Sequence, residues 1–412
     1  MSAQTPGPAN RARPRVVVVS EFYPRAADPV LGFWAHRQAL ATREAGADIR
    51  VLVLYRPLPA RAKLGEGVGP ALSELARLVR QPLLQERDGL EVRYVPFVSP
   101  ERSRAYARWG AWAAPPLTLA LRALRRRFAY ELIHAHNAVP VGDAVLRARV
   151  DVPLVVSVHG GDVLFTAPRV RGGAAAVART LSAARLVLAN SRGVADLAAQ
   201  HGARAVRVVP LGADPPPDRS SDPPARSDPE RGPVLITVGH LVARKRHADV
   251  IRALAVLASR HPGLRYRIVG DGPEREPLRA LAAQLGVSDR VELVGQLEPD
   301  AARAALGGAD LFVMPSTEEA LGIAYLEAMA AGVPAIGAAG EPGPQEISAA
   351  GEGMRLVAAQ DPTALAAEIG ALVGDPQGRE RLGRAGAETV ARAFSWERCG
   401  RETVEAYRQA LA

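Results

Sequence analysis

The chain has 412 residues, 48% of them hydrophobic and 23% charged, which suits two globular domains with sizeable cores and excludes a disordered chain. The formal net charge is +9, yet the first 216 residues carry 30 basic and 16 acidic side chains against 22 and 27 in the remainder, so the first half is expected to face something anionic. Cys399 is the single cysteine, which excludes an internal disulfide framework and a thiolate metal cluster.

Met1 to Pro14 is rich in Pro, Ala and Gln with no apolar core; it reads as a disordered tail, not a secretory signal. Arg15-Val-Val-Val-Val-Ser20 then predicts a buried parallel strand, followed by a loop reaching Gly32-Phe-Trp34, a helix over about Phe33–Glu44 and a strand over Asp48–Tyr55. Residues 60–90 are less periodic and read as an insertion or mobile loop. Further strands fit Val92–Val95, Leu132–Ala135, Leu154–Val158 and Leu186–Ala189, with helical patterns between several of them. Such alternation predicts a parallel sheet covered on both faces.

Ala111 to Leu121 is the longest apolar run, too short to span a bilayer and interrupted by Pro115-Pro116; a cytoplasmic protein is expected. Tyr106, Trp109 and Trp112 stand near Arg122, Arg125, Arg126 and Arg127. That mixture can lie in a lipid interface, and an ordinary surface helix explains it as well. An anionic membrane surface or a phosphorylated acceptor is the expected anionic partner. Nucleic acid is not, because no basic stretch is interleaved with aromatics in the manner of a nucleic-acid-reading module.

Residues 214–232 are dominated by Pro, Asp, Ser and Arg with almost nothing to bury, and read as a linker. The pattern restarts at Pro233-Val-Leu-Ile-Thr-Val-Gly239, with strands fitting Arg265–Val269, Val291–Val294, Asp310–Met314 and Pro334–Ile336. Two units of the same α/β kind follow, over 15–213 and 233–393, with a cleft between them at the carboxyl ends of their strands.

The motifs fall at those strand ends. Glu319-Ala-Leu-Gly-Ile-Ala-Tyr-Leu-Glu327 follows the strand and turn of Ala309–Ser316, placing Glu319 at a helix entrance and Glu327 inside the helix. Backbone N–H groups near Leu321, Gly322 and Ile323 lack intrahelical partners there and suit a phosphate. The layout can hold a nucleotide-sugar, with one acid for the sugar, one for the ribose and the helix start for the diphosphate. Val238-Gly-His-Leu-Val-Ala-Arg-Lys-Arg-His247 puts Arg244 and Lys245, one of only two lysines, at the rim of the cleft. Val156-Ser-Val-His-Gly-Gly-Asp162 exposes His159 at a strand end, with Asp162 as a weaker companion. His134-Ala-His136 points two rings to one face; no third ligand has a convincing spacing, so no metal is expected and acceptor shaping or packing is the reading for His136.

The Glu-x7-Glu segment resembles that of the family-4 retaining glycosyltransferases, and the match runs from Pro315-Ser316 to Gly332-Val-Pro334. The resemblance implies the GT-B fold, two facing Rossmann-like doubly wound domains, with the acceptor mainly on the first and the donor mainly on the second. It further implies transfer of a hexose or N-acetylhexosamine from a nucleoside-diphosphate sugar to an acceptor hydroxyl, with retention and without a metal cofactor. Lys245 stands where the family places a diphosphate-binding lysine, and His159 where it places a His near the transferred sugar. Gly32 lies in what resembles the loop that closes over the donor phosphates. Glu319 falls to the sugar and Glu327 to the ribose, while Glu318 competes with Glu319 on position alone.

Departures are specific. His240 replaces the arginine of the usual Gly-Arg-Leu, and Arg246 the Gly after the lysine, leaving open whether His240, Arg244 or Arg246 fills the arginine's place. Glu-Ala-Leu-Gly replaces Glu-Gly-Phe-Gly, altering the pocket wall near Ala320 and Leu321. Gly340-Glu-Pro-Gly-Pro-Gln-Glu346 resembles the family's Gly-rich stretch, and Phe394-Ser-Trp-Glu397 with the helix to 412 resembles the segment that crosses back onto the first domain. The acceptor is expected to be a saccharide or a lipid-linked one, in bacterial surface-polysaccharide or glycolipid assembly. A nucleotide-sugar 2-epimerase and a catalytically silent GT-B partner are the alternatives. A dehydrogenase is disfavoured because no Gly-x-Gly-x-x-Gly follows the first strand.

Overall fold

The computed structural model describes residues 13–59, 68–214 and 232–412. Nearly all of the expected tail (1–14) and linker (214–232) lies outside those residues, as do residues 60–67. The run Arg15–Ser20 (β1) is a strand because its four valines suit extended backbone and both its faces are covered, with Val16 to Val19 at most 1% exposed.

β1 lies within an eight-stranded sheet with β2 (Asp48–Tyr55), β3 (Leu84–Arg87), β4 (Leu90–Pro96), β5 (Leu132–His136), β6 (Leu154–Val158), β7 (Leu186–Ala189) and β8 (Val206–Val208). The spatial order is β3-β4-β2-β1-β5-β6-β7-β8, parallel throughout except for β3 against β4. A second, wholly parallel sheet comprises β9 (Val234–Val238), β10 (Arg265–Val269), β11 (Val291–Gly295), β12 (Leu311–Val313), β13 (Ala335–Ala338) and β14 (Met354–Val357), ordered β11-β10-β9-β12-β13-β14. In each sheet the winding reverses beside the first strand, between β1 and β5 and between β9 and β12. Loops diverge there at the carboxyl ends and leave a crevice.

Five helices position the site or its surroundings: α1 (Phe33–Glu44), α2 (Val68–Val79), α3 (Trp109–Arg125), α4 (Ile323–Ala330) and α5 (Trp396–Leu411). Ser395 caps α5, its Oγ accepting from the Arg398 N–H at 3.2 Å. α5 packs on α1. Gln38 Nε2 donates to Thr403 Oγ1 at 3.3 Å, Tyr407 OH meets His134 Nδ1 at 2.8 Å, and a Cβ added to Gly400 would lie 2.2 Å from the Ala41 carbonyl oxygen.

The segment read as a loop over 60–90 is corrected in part: α2 and the β3–β4 hairpin occupy residues 68–96. None of α2's residues is buried, and β3 is Leu-Gln-Glu-Arg, paired on one side only; neither carries the apolar signature of a core element. The edge strands β8 and β14 were likewise missed, each being short and interrupted by an arginine.

Candidate active site

The chain leaves β12 through Met314-Pro-Ser316, turns at Glu318 with φ +57°, and enters α4 through Gly322 at φ +80°. Gly343 packs against this turn, donating its N–H to the Glu319 carbonyl at 2.8 Å, while the Glu319 N–H donates to Glu341 Oε2 at 3.0 Å. Among the described residues the N–H groups of Leu321, Gly322 and Ile323 make no hydrogen bond, so an anion at the start of α4 finds free donors and the favourable end of a dipole.

Glu319 is 7% exposed. Its Oε2 receives a hydrogen bond from Lys245 Nζ at 2.6 Å and from Ser316 Oγ at 3.0 Å, with Arg244 at 3.8 Å. Burial alone pushes its carboxyl up, but Lys245, Arg244 and Ser316 together outweigh burial and hold it below the usual carboxylate value. Lys245 and Arg244 lie in a single turn after β9, Ala243–Lys245. Arg244 lines the cleft and His240 stands exposed at its wall. Arg246 turns away: it takes φ +58° and bonds Asp249 Oδ2 at 2.7 Å through Nε. The left-handed backbone at position 246 explains why glycine suits it.

Glu327, one turn into α4, is half-buried on the same wall. Burial raises its carboxyl to about 7, Arg303 opposing and Asp214 adding to the rise. Arg303 and Arg37 both pair with Asp214, so α1 of the first unit and the second unit meet there.

From the first unit, His159 follows β6. Its Nε2 meets His136 Nδ1 at 3.1 Å, the two rings stack at 5.2 Å, and Trp34 packs on His159 at 4.0 Å between centroids. Burial drives His159 well below its ordinary value, with His136 adding, and His136 falls to about 3 by burial; both rings are neutral at pH 7. His134 is locked between Tyr407 and Ser157. Among the described residues no three His, Cys, Asp or Glu side chains group so as to hold a metal ion.

Asp162 is turned inward. It accepts from the Ala138 and Val139 N–H groups at 3.0 and 3.1 Å and from Asn137 Nδ2 at 3.3 Å. Gly32 does not line the cleft: it caps α1 at φ +63°, and a Cβ there would lie 2.2 Å from the Phe22 carbonyl carbon. It lets the loop pass close behind the cleft, and Phe22, Val30, Phe33 and Trp34 reach the cleft instead.

Together these elements enclose a cleft of about 720 Å³ between the units, with Trp34 and His159 on one side and Arg244, Lys245, Glu319 and Glu327 on the other. A smaller side pocket of about 270 Å³ opens off it toward Arg102 and Tyr106. The units touch across the cleft. Ser191 Oγ donates to the Ala320 carbonyl at 2.7 Å, the Arg192 N–H donates to Glu346 at 2.9 Å, Arg169 pairs with Glu318, and Gly160 abuts Ala320. Glu318 pairs with Arg169 and lines only the side pocket, whereas Glu319 lines both the side pocket and the main cleft. Another hollow of about 780 Å³, between Arg149, Arg185 and Arg204, holds none of these groups and lies at the opposite strand ends. Sequence reading passed over Asn137 and Arg102, because single polar residues beside a strand or on a helix carry no spacing signal, and it gave Tyr106 only to the aromatic-arginine stretch, whereas Tyr106 lines the side pocket.

Family models agree with this layout: Glycosyltransferase Family 4 matches residues 34–216 and Glycosyl transferases group 1 matches residues 218–389. A D-inositol 3-phosphate glycosyltransferase of Acidothermus cellulolyticus is 32% identical over 90% of this chain and 83% of its own length. The chain belongs to the family-4 glycosyltransferases. The lipopolysaccharide core biosynthesis glycosyltransferase LpsE of Rhizobium meliloti is 38% identical over 45% of this chain, and that match spans 51%, about half, of the relative. The GT-B fold is shared with two solved structures. Sucrose-phosphate synthase of Thermosynechococcus elongatus has a TM-score of 0.76 at 21% identity, covering 96% of this chain and 99% of its own. Anabaena HepE, solved with UDP and glucose, has a TM-score of 0.69 at 19% identity, covering 96% and 100%.

Proposed function

We propose that this family-4 glycosyltransferase moves a hexose or N-acetylhexosamine from a nucleoside-diphosphate sugar to an acceptor hydroxyl with retention at the anomeric carbon. The observation that carries it is one cleft wall on which Lys245, Arg244 and the free N–H groups at the start of α4 converge beside Glu319 and Glu327. Cations and a helix start stabilise a departing diphosphate without a metal; each such preorganised donor contributes about 3 kcal/mol. Glu319 holds the transferred sugar, Glu327 the ribose, and His159 faces the sugar near the reaction centre.

The acids lining the side pocket are each engaged, Asp162 by backbone amides, Glu318 by Arg169 and Glu319 by Lys245. Retention is inferred from the family resemblance, and His159, neutral and with its Nδ1 unpartnered among the described residues, stands in the same pocket. HepE's complex with UDP supports a uridine donor, and the name of the Rhizobium relative supports surface-glycan or glycolipid assembly.

Membrane contact belongs to the same reading. Among the described residues no helix is long and apolar enough to cross a bilayer. The outward stripe of α3 carries Trp112 and Leu119 between Arg108 and Arg122, a composition suited to an anionic leaflet. Sedimentation with phosphatidylglycerol vesicles, lost on Trp112→Ala/Leu119→Ala, tests it.

The donor test is a thermal-shift panel of UDP, GDP, ADP and their glucose and N-acetylglucosamine conjugates. One nucleotide raises the melting temperature by mass action and loses that effect in Lys245→Ala; a flat panel sinks the reading. The anomeric proton coupling of the product decides retention.

A further inference from the structure

Two buried polar atoms of the side pocket's lining have no partner among the described residues: His159 Nδ1, which belongs to the transfer site already described, and Asn137 Oδ1, which that site does not use. Asn137 is 6% exposed, follows β5 directly and lines both the side pocket and the main cleft. Its Oδ1 is buried and has no hydrogen-bond partner among the described residues. The orientation of the amide is fixed chemically. Nδ2 faces Asp162 Oδ2 at 3.3 Å, and the Asp162 carboxylate also takes two backbone N–H groups, so only the NH₂ end of the amide fits that side. The oxygen is therefore the end left over, and a buried acceptor without a donor is costly unless a ligand supplies one.

The backbone gives a second, independent sign. Asn137 holds φ +77° and ψ +141°, a conformation that costs a side-chain-bearing residue energy and is retained where a fold over-determines it at a functional site. Glycine adopts the same backbone freely, yet the position carries an amide.

The pocket also has a size and a character. Its volume of about 270 Å³ lies below the ~300–1,000 Å³ of sites that enclose drug-sized ligands. Phe22 and Phe165 offer apolar surface and Arg102 a donor, while His159, Arg244 and Glu319 line the side where the pocket joins the cleft. Arg102 is already paired with Glu21 at 3.2 Å, and Arg244 lies 3.8 Å from Glu319, so the charges are balanced and no anion is demanded. Apolar faces with directed hydrogen-bonding groups and little net charge suit a polyhydroxylated ring.

We propose that the side pocket is the acceptor subsite for a single polyhydroxylated ring, a cyclitol or monosaccharide unit, and that Asn137 Oδ1 accepts a hydrogen bond from one of its hydroxyls. This rests on the glycosyl-transfer reading above. Asn137 sets acceptor choice and aligns the ring with the sugar held by Glu319 and His159; Lys245 and the start of α4, which take the diphosphate in that reading, do not line the side pocket.

The experiment uses the full chain and Asn137→Gly, a substitution that fits φ +77° and removes only the amide. Nucleotide binding is read by thermal shift with UDP. Transfer is read with UDP-glucose, or with whichever nucleotide-sugar shifts the wild type most, to myo-inositol, glucose, N-acetylglucosamine and maltotetraose. The expected result is transfer to at least one single-ring probe, with its KM raised fivefold or more in Asn137→Gly and the nucleotide shift retained. An unchanged ring KM overturns the proposal, as does a variant that loses the nucleotide shift. So does a wild type that binds nucleotide but uses only maltotetraose, or none of the probes. A wild type that binds no nucleotide at all overturns the glycosyl-transfer reading instead, so the two failures are distinguishable.

Discussion

Lys245 Nζ lies 2.6 Å from Glu319 Oε2, joining residues 74 positions apart on one wall of the cleft. Both side chains are nearly buried, at 12% and 10% exposure, so neither charge is well hydrated and each is the other's main compensation. Breaking such a pair by removing one partner costs about 3–5 kcal/mol, whereas removing both is nearly neutral.

Lys245→Ala is therefore expected to lower the melting temperature clearly, because Glu319 is left as a lone buried carboxylate. Adding Glu319→Gln should restore most of that loss, and scanning calorimetry on the two single variants and the double measures the coupling. Glu319→Gln alone frees the ammonium for a diphosphate, so UDP affinity should rise while transfer falls about a hundredfold. The pair also sets an acid limit. Glu319 titrates below its ordinary 4.5 when folded, so its stabilising contribution is complete above that value and is lost as pH falls through the lower folded one. Equal melting temperatures for wild type and Lys245→Ala would show that the two charges are solvated independently.

Glu327 behaves in the opposite sense. Burial raises it to about 7, so between 4.5 and 7 the folded protein binds more protons than the unfolded chain, and this group's contribution to stability declines as pH rises across that window. Ribose hydroxyls are better served by the ionised form, since hydrogen bonds to a charged acceptor exceed neutral ones by about 1 kcal/mol. UDP affinity should then improve several-fold from pH 6 to pH 8 in the wild type relative to Glu327→Gln. The titration of the nucleotide's own phosphate is common to both proteins and cancels in the ratio. Parallel pH profiles for the two proteins in calorimetric titrations would remove Glu327 from the ribose site.

The alternation of apolar strands and helices was enough to read two doubly wound units, because β1, β5, β6 and β12 are short, almost wholly buried runs and β9 is buried along its centre. The hidden elements were those at the edges, where Leu84–Arg87 and Met354–Val357 mix charge into a strand. In the site, the strand-end positions of His159, Lys245 and Glu319 could be read from local pattern. Arg-Lys-Arg at 244–246 could not be resolved in that way, since the choice between its arginines depends on the left-handed backbone at 246 turning Arg246 toward Asp249. Gly32 shows the converse. A glycine beside a cleft invites a ligand-contact reading, whereas its missing Cβ makes room for the Phe22 backbone. Asn137 had no sequence signal, because its unpaired oxygen exists only once Asp162 has claimed the other end of its amide.

Gly160 tests closure of the two units. Its φ is +96°, and a Cβ there would lie 2.3 Å from the Ala320 Cβ across the cleft. Gly160→Ala should cost about 1 kcal/mol or more through its backbone alone and also hold the first unit off the Glu319 turn. Transfer should fall by at least tenfold while UDP, whose proposed contacts lie on the second unit, binds almost normally. Small-angle scattering with UDP present would report a more open molecule. Full transfer activity in Gly160→Ala would mean that this contact is not required during turnover.

Asp162 is the last residue whose surroundings fix a measurable outcome. Burial raises its carboxyl to about 6, against three hydrogen bonds that pull it down, so it is ionised at pH 7 and serves three donors at once. Removing the carboxylate leaves two backbone N–H groups and the Asn137 amide without their buried acceptor, each costing about 1 kcal/mol or more. Asp162→Ala should therefore lose about 2–4 kcal/mol in urea unfolding. Asp162→Asn should recover only part of that, because its NH₂ cannot accept from those donors and an amide has one acceptor oxygen rather than two. Both variants should also raise the acceptor KM, since the Asn137 oxygen is aimed by the bond that Asp162 makes to its nitrogen. A substitution that leaves both the unfolding midpoint and the acceptor KM untouched would show that backbone packing alone shapes the Asn137–Val139 turn.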